Sequence, residues 1–142
     1  MPDDLAITDF PLRTRDKLRY RDTDRQGHVN NSVFSTFLET GRVELIYDRA
    51  RQLVEPGAAF VIARLELDFR AELLWPGEVE IGSRIASIGR SSIRLEQAIF
   101  QGGRCAASGI TVMVQVDEAT RRSRPFSEAV RERLQQLAGP AA

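Results

Sequence analysis

The chain has one cysteine and one histidine in 142 residues, and Lys17 is its only lysine. A single cysteine, Cys105, excludes an internal disulfide. With a single histidine it cannot assemble the nitrogen and sulfur ligands of a zinc site. No apolar run approaches the roughly 20 residues that cross a bilayer as a helix. The opening stretch, MPDDLAITDF, lacks the basic start and apolar core of a secretory signal. These absences predict a cytoplasmic setting. An excess of one charge is missing too. Lys plus Arg and Asp plus Glu both number 20, so the formal net charge is zero. No global field then draws nucleic acid or an anionic membrane, and neither is an expected partner.

What remains is an ordinary globular composition, 42% apolar and 28% charged. The length predicts a single domain over 1–142 that buries a core without metal or disulfide staples. There is no repeat, low-complexity stretch or linker. Residues 1–12 read as a loose lead-in and the closing AGPAA as a frayed tail.

The patterning supplies the elements. RTRDKLRYR, residues 13–21, predicts a first strand, and a polar loop follows from Asp22 to Asn30. From Asn31 the period is helical: Phe34, Phe37, Leu38, Gly41, Leu45 and Ile46 share one stripe. Asn30, Asn31 and Ser32 are candidate caps. Gly41 costs about 1 kcal/mol against alanine inside a helix, which predicts close approach to whatever the helix packs on. Beyond Pro56-Gly57 the period becomes two. Val61, Ala63, Leu65, Leu67 and Phe69 predict one strand face. Trp75-Pro76-Gly77 marks a turn, Val79 to Ile85 a strand, Gly89-Arg90-Ser91 a turn, and Ile93 to Ile99 a strand. Gln101-Gly102-Gly103 signals a hairpin into the strand that carries Ile110, Val112, Val114 and Val116. Cys105 near its start reads as a small buried residue. A short helix over 127–137 closes the chain. The order is β-α-β-β-β-β, an α+β pattern. One apolar helix stripe and one apolar sheet face bury each other if an antiparallel sheet wraps the helix.

The polar residues concentrate in DTDRQGHVNN, directly before the long helix. A helix N-terminus offers free N–H groups and partial positive charge, suited to a developing oxyanion. Two aspartates, Asp22 and Asp24, lie beside it, and on the residues alone Asp24 reads as a turn or capping aspartate. Gly27 lets the backbone turn tightly or lets a substrate approach.

This loop and the element order resemble the hotdog-fold thioesterases of the 4-hydroxybenzoyl-CoA thioesterase superfamily. The resemblance runs from about Leu18 to Pro125 and is sharpest from Tyr20 to Arg42. Pro76-Gly77 and Gly89-Arg90-Ser91-Ser92 fit it as well. It implies a five-stranded antiparallel sheet wrapped around a long central helix, and an acyl-CoA thioesterase that needs no metal or cofactor. It assigns Asp24 as nucleophile or general base, and the backbone N–H near Asn31 as oxyanion donor. His28 either orients substrate or water, or pins the loop. The acyl-ACP thioesterases carry a catalytic histidine at this position, but with asparagine where this chain has Gln26. Gly27, Arg90, Ser91 and Ser92 are the implied substrate-binding residues, Arg90 for phosphates of CoA. Arg121, Arg122 and Arg124 form a second basic cluster. Glu39 and Arg42 read as a helix ion pair, with Glu39 a reserve carboxylate. Phe34, Phe37 and Phe60 are candidates to shorten an acyl pocket. The resemblance further implies a homodimer with a continuous sheet and shared active sites, or a homotetramer of such dimers. An acyl-ACP thioesterase and a non-catalytic acyl-CoA-binding hotdog protein stay open as alternatives.

Overall fold

The structure, a computed structural model, describes residues 1–139. Of the predicted frayed tail, residues 140–142 lie outside the described residues. Five strands, β1 (Leu12–Lys17), β2 (Ala58–Phe69), β3 (Glu78–Ile88), β4 (Ser92–Gln101) and β5 (Arg104–Asp117), form one antiparallel sheet in the order β1-β3-β4-β5-β2. The long helix α1 (Asn31–Ile46) lies on one face, and a second helix, α2 (Glu128–Ala138), packs beside β3. This is the α+β hotdog arrangement that the sequence pattern predicts.

The predicted stripe of α1 is its buried face: Phe34, Phe37, Leu38, Gly41, Leu45 and Ile46 are all covered. They meet Val79, Ile81, Ile85, Ile93, Leu95 and Ile99 from β3 and β4. Gly41 sits where a Cβ would come 2.8 Å from Ile81 Cγ2 and 2.9 Å from Gln97 Nε2. The helix crosses the sheet in contact there, which is why glycine stands at this position.

The first strand ends at Lys17 instead of running over 13–21, because Tyr20–Asp22 turns as a short 3-10 helix. Three further expectations change. The lead-in is not loose: Leu5 and Phe10 are buried, and Phe10 packs edge-on against Phe100, their ring centroids 6.1 Å apart. Phe10 covers Gly82, whose missing Cβ would fall 2.5 Å from the ring. In β2 the alternation does not hold along one face. The pairing with β5 shifts between Ile62 and Arg64, so Ala63 is an extra, bulged residue. Phe60 and Ile62 therefore share the helix-side face with Leu65, Leu67 and Phe69. The third change concerns Arg42, read as half of a helix ion pair with Glu39. It is 3% exposed and donates to Gln97 Oε1 at 3.4 Å and Thr111 Oγ1 at 3.3 Å. Gln97 in turn donates to the Leu38 carbonyl and the Ser83 hydroxyl. Burial lowers the Arg42 pKa, and the nearby charge of Glu39 works against that shift. Glu39 itself stays exposed.

No helix among the described residues is long and apolar enough to cross a membrane.

Candidate active site

The polar loop folds as a small hairpin. Thr23 and Val29 bridge, the Asp24 N–H donates to the His28 carbonyl at 2.7 Å, and Gly27 N–H donates to the Asp24 carbonyl at 3.1 Å. Gly27 turns the chain at φ +81°, a left-handed conformation that glycine adopts without cost. Asp22 is buried beneath the hairpin. Its carboxylate accepts the Arg19 N–H and guanidinium, and its carbonyl accepts the Asn30 N–H at 2.8 Å. Asp24 Oδ1 accepts the N–H groups of Gln26 at 2.8 Å and His28 at 3.1 Å. That oxygen holds the turn, and Oδ2 has no partner among the described residues.

Helix α1 starts directly after the hairpin. Asn30 is its cap: the side chain accepts the Ser32 N–H at 3.1 Å, and the Asn30 carbonyl accepts the Val33 N–H at 2.9 Å. The first-turn N–H of Asn31 has no acceptor among the described residues.

The opposite wall comes from the β2–β3 connection, which crosses the end of the sheet. Ala71 N–H donates to the Ala106 carbonyl and Val29 N–H to the Leu73 carbonyl. His28 and Leu74 bridge. The Gln101 amide clamps Leu74 on both sides, accepting its N–H at 3.0 Å and donating to its carbonyl at 2.7 Å. Between these walls lies a cleft of about 290 Å³, lined by Asp24, His28, Val29, Asn31, Phe34, Phe69, Ala71 and Glu72. Polar and apolar side chains share it: Asp24, His28, Asn31 and Glu72 are polar, and the Phe34 and Phe69 rings meet edge to face with centroids 5.1 Å apart. Such a cleft can present a carboxylate and a helix N-terminus to one carbonyl group while an apolar chain leaves along the aromatic wall.

Of the expected residues, the structure brings Asp24, Gly27, His28 and Asn31 together. Arg90, Ser91 and Ser92 stand at the other end of β4. The Ser91 carbonyl accepts the Gln115 N–H, and the Arg90 carbonyl accepts Phe126 N–H and Arg131 Nη2. The ten-residue strand separates the two ends by about 30 Å. Arg124, from the second basic cluster, lies 3.9 Å from Glu55 and 3.8 Å from Asp117 and donates to the Pro56 carbonyl. Phe34 lines the cleft, whereas Phe37 is core and Phe60 packs against Phe126 at the far end. Glu39 is outside the cleft. Cys105 is half-buried rather than buried and does not line the cleft; burial raises its thiol pKa.

Sequence reasoning missed Glu72 and Phe69 as cleft residues. Glu72 Oε2 lies 3.4 Å from His28 Nε2. It falls between the end of one strand and a turn signal, with no periodicity to single it out. Among the described residues, no three His, Cys, Asp or Glu side chains gather as a metal ion requires.

A sheet wrapped around one helix, with a carboxylate hairpin at that helix's N-terminus beside an apolar cleft, defines the class of hotdog thioesterase-like proteins. The chain belongs to the thioesterase-like superfamily, whose family model matches residues 18–134. No curated protein matches it. Among solved structures, it is similar to a thioesterase from Thermus thermophilus complexed with coenzyme A and Zn. The two are 37% identical, with a TM-score of 0.79 over 94% of this chain and 98% of that one. It is also similar to the PA5185 protein of Pseudomonas aeruginosa strain PAO1, at 26% identity and TM-score 0.83 over 96% and 98%. A predicted thioesterase of Bacillus stearothermophilus gives 26% identity and TM-score 0.81 over 92% and 98%.

Proposed function

We propose that the chain, read as one hotdog domain over 1–142, is an acyl-CoA thioesterase: acyl-CoA and water give a carboxylic acid and CoA. One observation carries the reading. Asp24 and Asn31, whose first-turn N–H has no acceptor among the described residues, line the same cleft as the Phe34–Phe69 aromatic pair. The likeness to a thioesterase that binds coenzyme A supports CoA as the carrier.

The chemistry follows from the two groups. The thioester oxygen sits against the Asn31 N–H, where the helix dipole favours the charge that develops on it. Asp24 Oδ2 either takes a proton from water, whose oxygen then attacks the carbonyl carbon, or attacks that carbon itself. In both routes the C–S bond breaks and the CoA thiolate leaves, then takes up a proton. In the covalent route the one water enters in a second step, where it hydrolyses the acyl-Asp24 anhydride and releases the acid. Donors of the oxyanion type contribute about 10²–10³ in rate elsewhere.

A second copy of the chain completes the site in this reading. β2 is a 12-residue edge strand, and Val61, Ile62, Leu65 and Phe69 are 38–53% exposed on it. Edges of this length are normally paired or covered. Antiparallel pairing of β2 with its twin sets the Phe69 end of one copy beside the Ala58 end of the other. The partner's Arg90–Ser92 turn then approaches the cleft rather than lying a strand's length from it. That arrangement gives Arg90 a role toward the CoA phosphates.

The test is thiol release from acyl-CoAs of graded chain length and from aromatic acyl-CoAs. Turnover of at least one series is expected. Binding of acyl-CoA without thiol release from any of them would overturn the reading in favour of a non-catalytic binding protein.

A further inference from the structure

The inward end of the cleft is built as a ladder. Along α1, Phe34, Leu38 and Arg42 are all buried and follow one another at four-residue steps, about 6 Å each. Along β2, Phe69, Leu67 and Leu65 follow at two-residue steps, about 6.6 Å each, on the helix side. β5 sets Ala107, Gly109 and Thr111 directly opposite those three. Helix and strands therefore meet in three rungs of nearly equal spacing, counted inward from the Asn31 end.

Each rung is filled differently. In the first, the Phe34 and Phe69 rings meet edge to face, their planes at 72°. In the second, Leu38 presses close to β5. A Cβ on Gly109 would come 2.9 Å from Leu38 Cδ1 and 3.9 Å from Leu67 Cδ1. The third holds the buried Arg42 guanidinium, kept in place by Gln97 Oε1 and Thr111 Oγ1. An alkyl chain that reached it would displace those partners and leave a buried cation unpaired.

Only the first rung belongs to the cleft: Phe34 and Phe69 line it, and Leu38, Leu67 and Arg42 do not. Its volume sets the same limit. At about 30 Å³ for each water-sized group, a cleft of about 290 Å³ holds about ten non-hydrogen atoms. The thioester oxygen, the sulfur and the attacking water claim part of that, which leaves about six or seven acyl carbons.

We propose that the Phe34–Phe69 pair is the specificity-determining stop of the acyl site, and that the substrate class is a short-chain acyl thioester of up to about six acyl carbons. The inference rests on the thioesterase reading for the kind of ligand and adds which members of that class fit. A chain whose carbonyl oxygen lies at the Asn31 N–H and which runs inward meets the two rings first. A longer chain must part the rings or bend out of the cleft into water, where further methylenes gain nothing from burial. Opening the first rung admits a chain only as far as Leu38 and the charged rung behind it.

The test reads binding apart from turnover. Affinity for acetyl-, butanoyl-, hexanoyl-, octanoyl-, decanoyl- and dodecanoyl-CoA is measured by calorimetry on Asp24→Asn. It is expected to climb as far as hexanoyl-CoA and to level off or fall beyond it. Two further substitutions are then added singly to that background. Phe69→Ala removes a ring that is 53% exposed, at little cost to the core, and Phe34→Leu trims the buried one. In each, affinity for octanoyl-CoA relative to butanoyl-CoA is expected to rise about tenfold or more. Thiol release by the two variants with Asp24 intact is expected to shift toward longer chains in the same way. A purely structural role for the rings would lower all chain lengths alike. Affinity that keeps rising to dodecanoyl-CoA with both rings present, or that ignores chain length, would overturn the proposal. So would octanoyl-to-butanoyl ratios unchanged in both variants. Binding that stops improving at hexanoyl-CoA, with no thiol released by the wild type from any acyl-CoA, would remove the thioesterase reading and leave the acyl stop standing.

Discussion

Gly41 shows how a single missing atom is used. Alanine there would improve helix propensity by about 1 kcal/mol. Its Cβ, however, would press on Ile81 Cγ2 at 2.8 Å, a branched methyl with no room to swing, and on Gln97. Overpacking of this kind costs about 1–3 kcal/mol, so Gly41→Ala is expected to be net destabilising in urea denaturation. A gain in stability would mean that the helix does not lie as close to β3 as described. This residue was legible in advance, because a glycine inside an amphipathic helix needs a packing reason. Arg42 and Glu72 were not. An arginine on a helix reads as surface, and only the Gln97 and Thr111 side chains, brought from β4 and β5 by the fold, show why it is buried. Glu72 acquires its meaning only beside His28, which the hairpin brings to it across a long stretch of sequence.

The elements around the cleft depend on short polar turns. Asn30 satisfies the Ser32 N–H at the start of α1. Asn30→Ala is expected to lower stability by about 1 kcal/mol in chemical denaturation, and also to lower kcat, since the cap aims the helix end that faces substrate. A kcat unchanged by this loss would separate the helix terminus from the chemistry. At the far end of β5, Asp117 accepts the N–H groups of Thr120 at 3.0 Å and Ala119 at 2.9 Å. These hydrogen bonds, Thr120 first, hold its pKa below the ordinary 3.8. A depressed carboxylate stabilises the fold above its unfolded pKa, and that contribution is lost as pH falls through the folded value. Wild type is therefore expected to melt above Asp117→Asn at neutral pH and to converge with it in strong acid. Equal melting temperatures at neutral pH would contradict the turn geometry. Helix and strand identities were legible from period, and the hairpin from its glycines. The bulge in β2 was not: Arg64, Glu66 and Asp68 alternate cleanly with Leu65, Leu67 and Phe69, and Ile62 alone departs from the pattern. Only the register against β5 shows where the extra residue falls. Phe10 likewise became core because Gly82 leaves a place for it on the sheet's outer face.

For the molecule as a whole, the exposed β2 edge links architecture to function. The order β-α-β-β-β-β sufficed to foresee a sheet around a helix, since two apolar faces have one economical way to bury each other. It did not set Arg90 beside Asp24, because nothing in a linear pattern says which ends of a sheet meet. Leu65→Lys puts a charge in the middle of the edge, on the helix side, away from the cleft lining. It is expected to give a folded monomer by sedimentation, with thiol release reduced about tenfold or more. A fully active monomer would show that one chain holds the complete site. The central claim is narrower: a carboxylate at a helix N-terminus performs the hydrolysis. The most direct measurement is thiol release by Asp24→Asn beside wild type, on the best acyl-CoA, with binding followed in parallel by calorimetry. The substitution keeps the shape of the side chain and removes its charge. The account predicts intact binding with kcat lower by about 100-fold or more. Turnover at the wild-type rate would contradict it and move the chemistry away from Asp24.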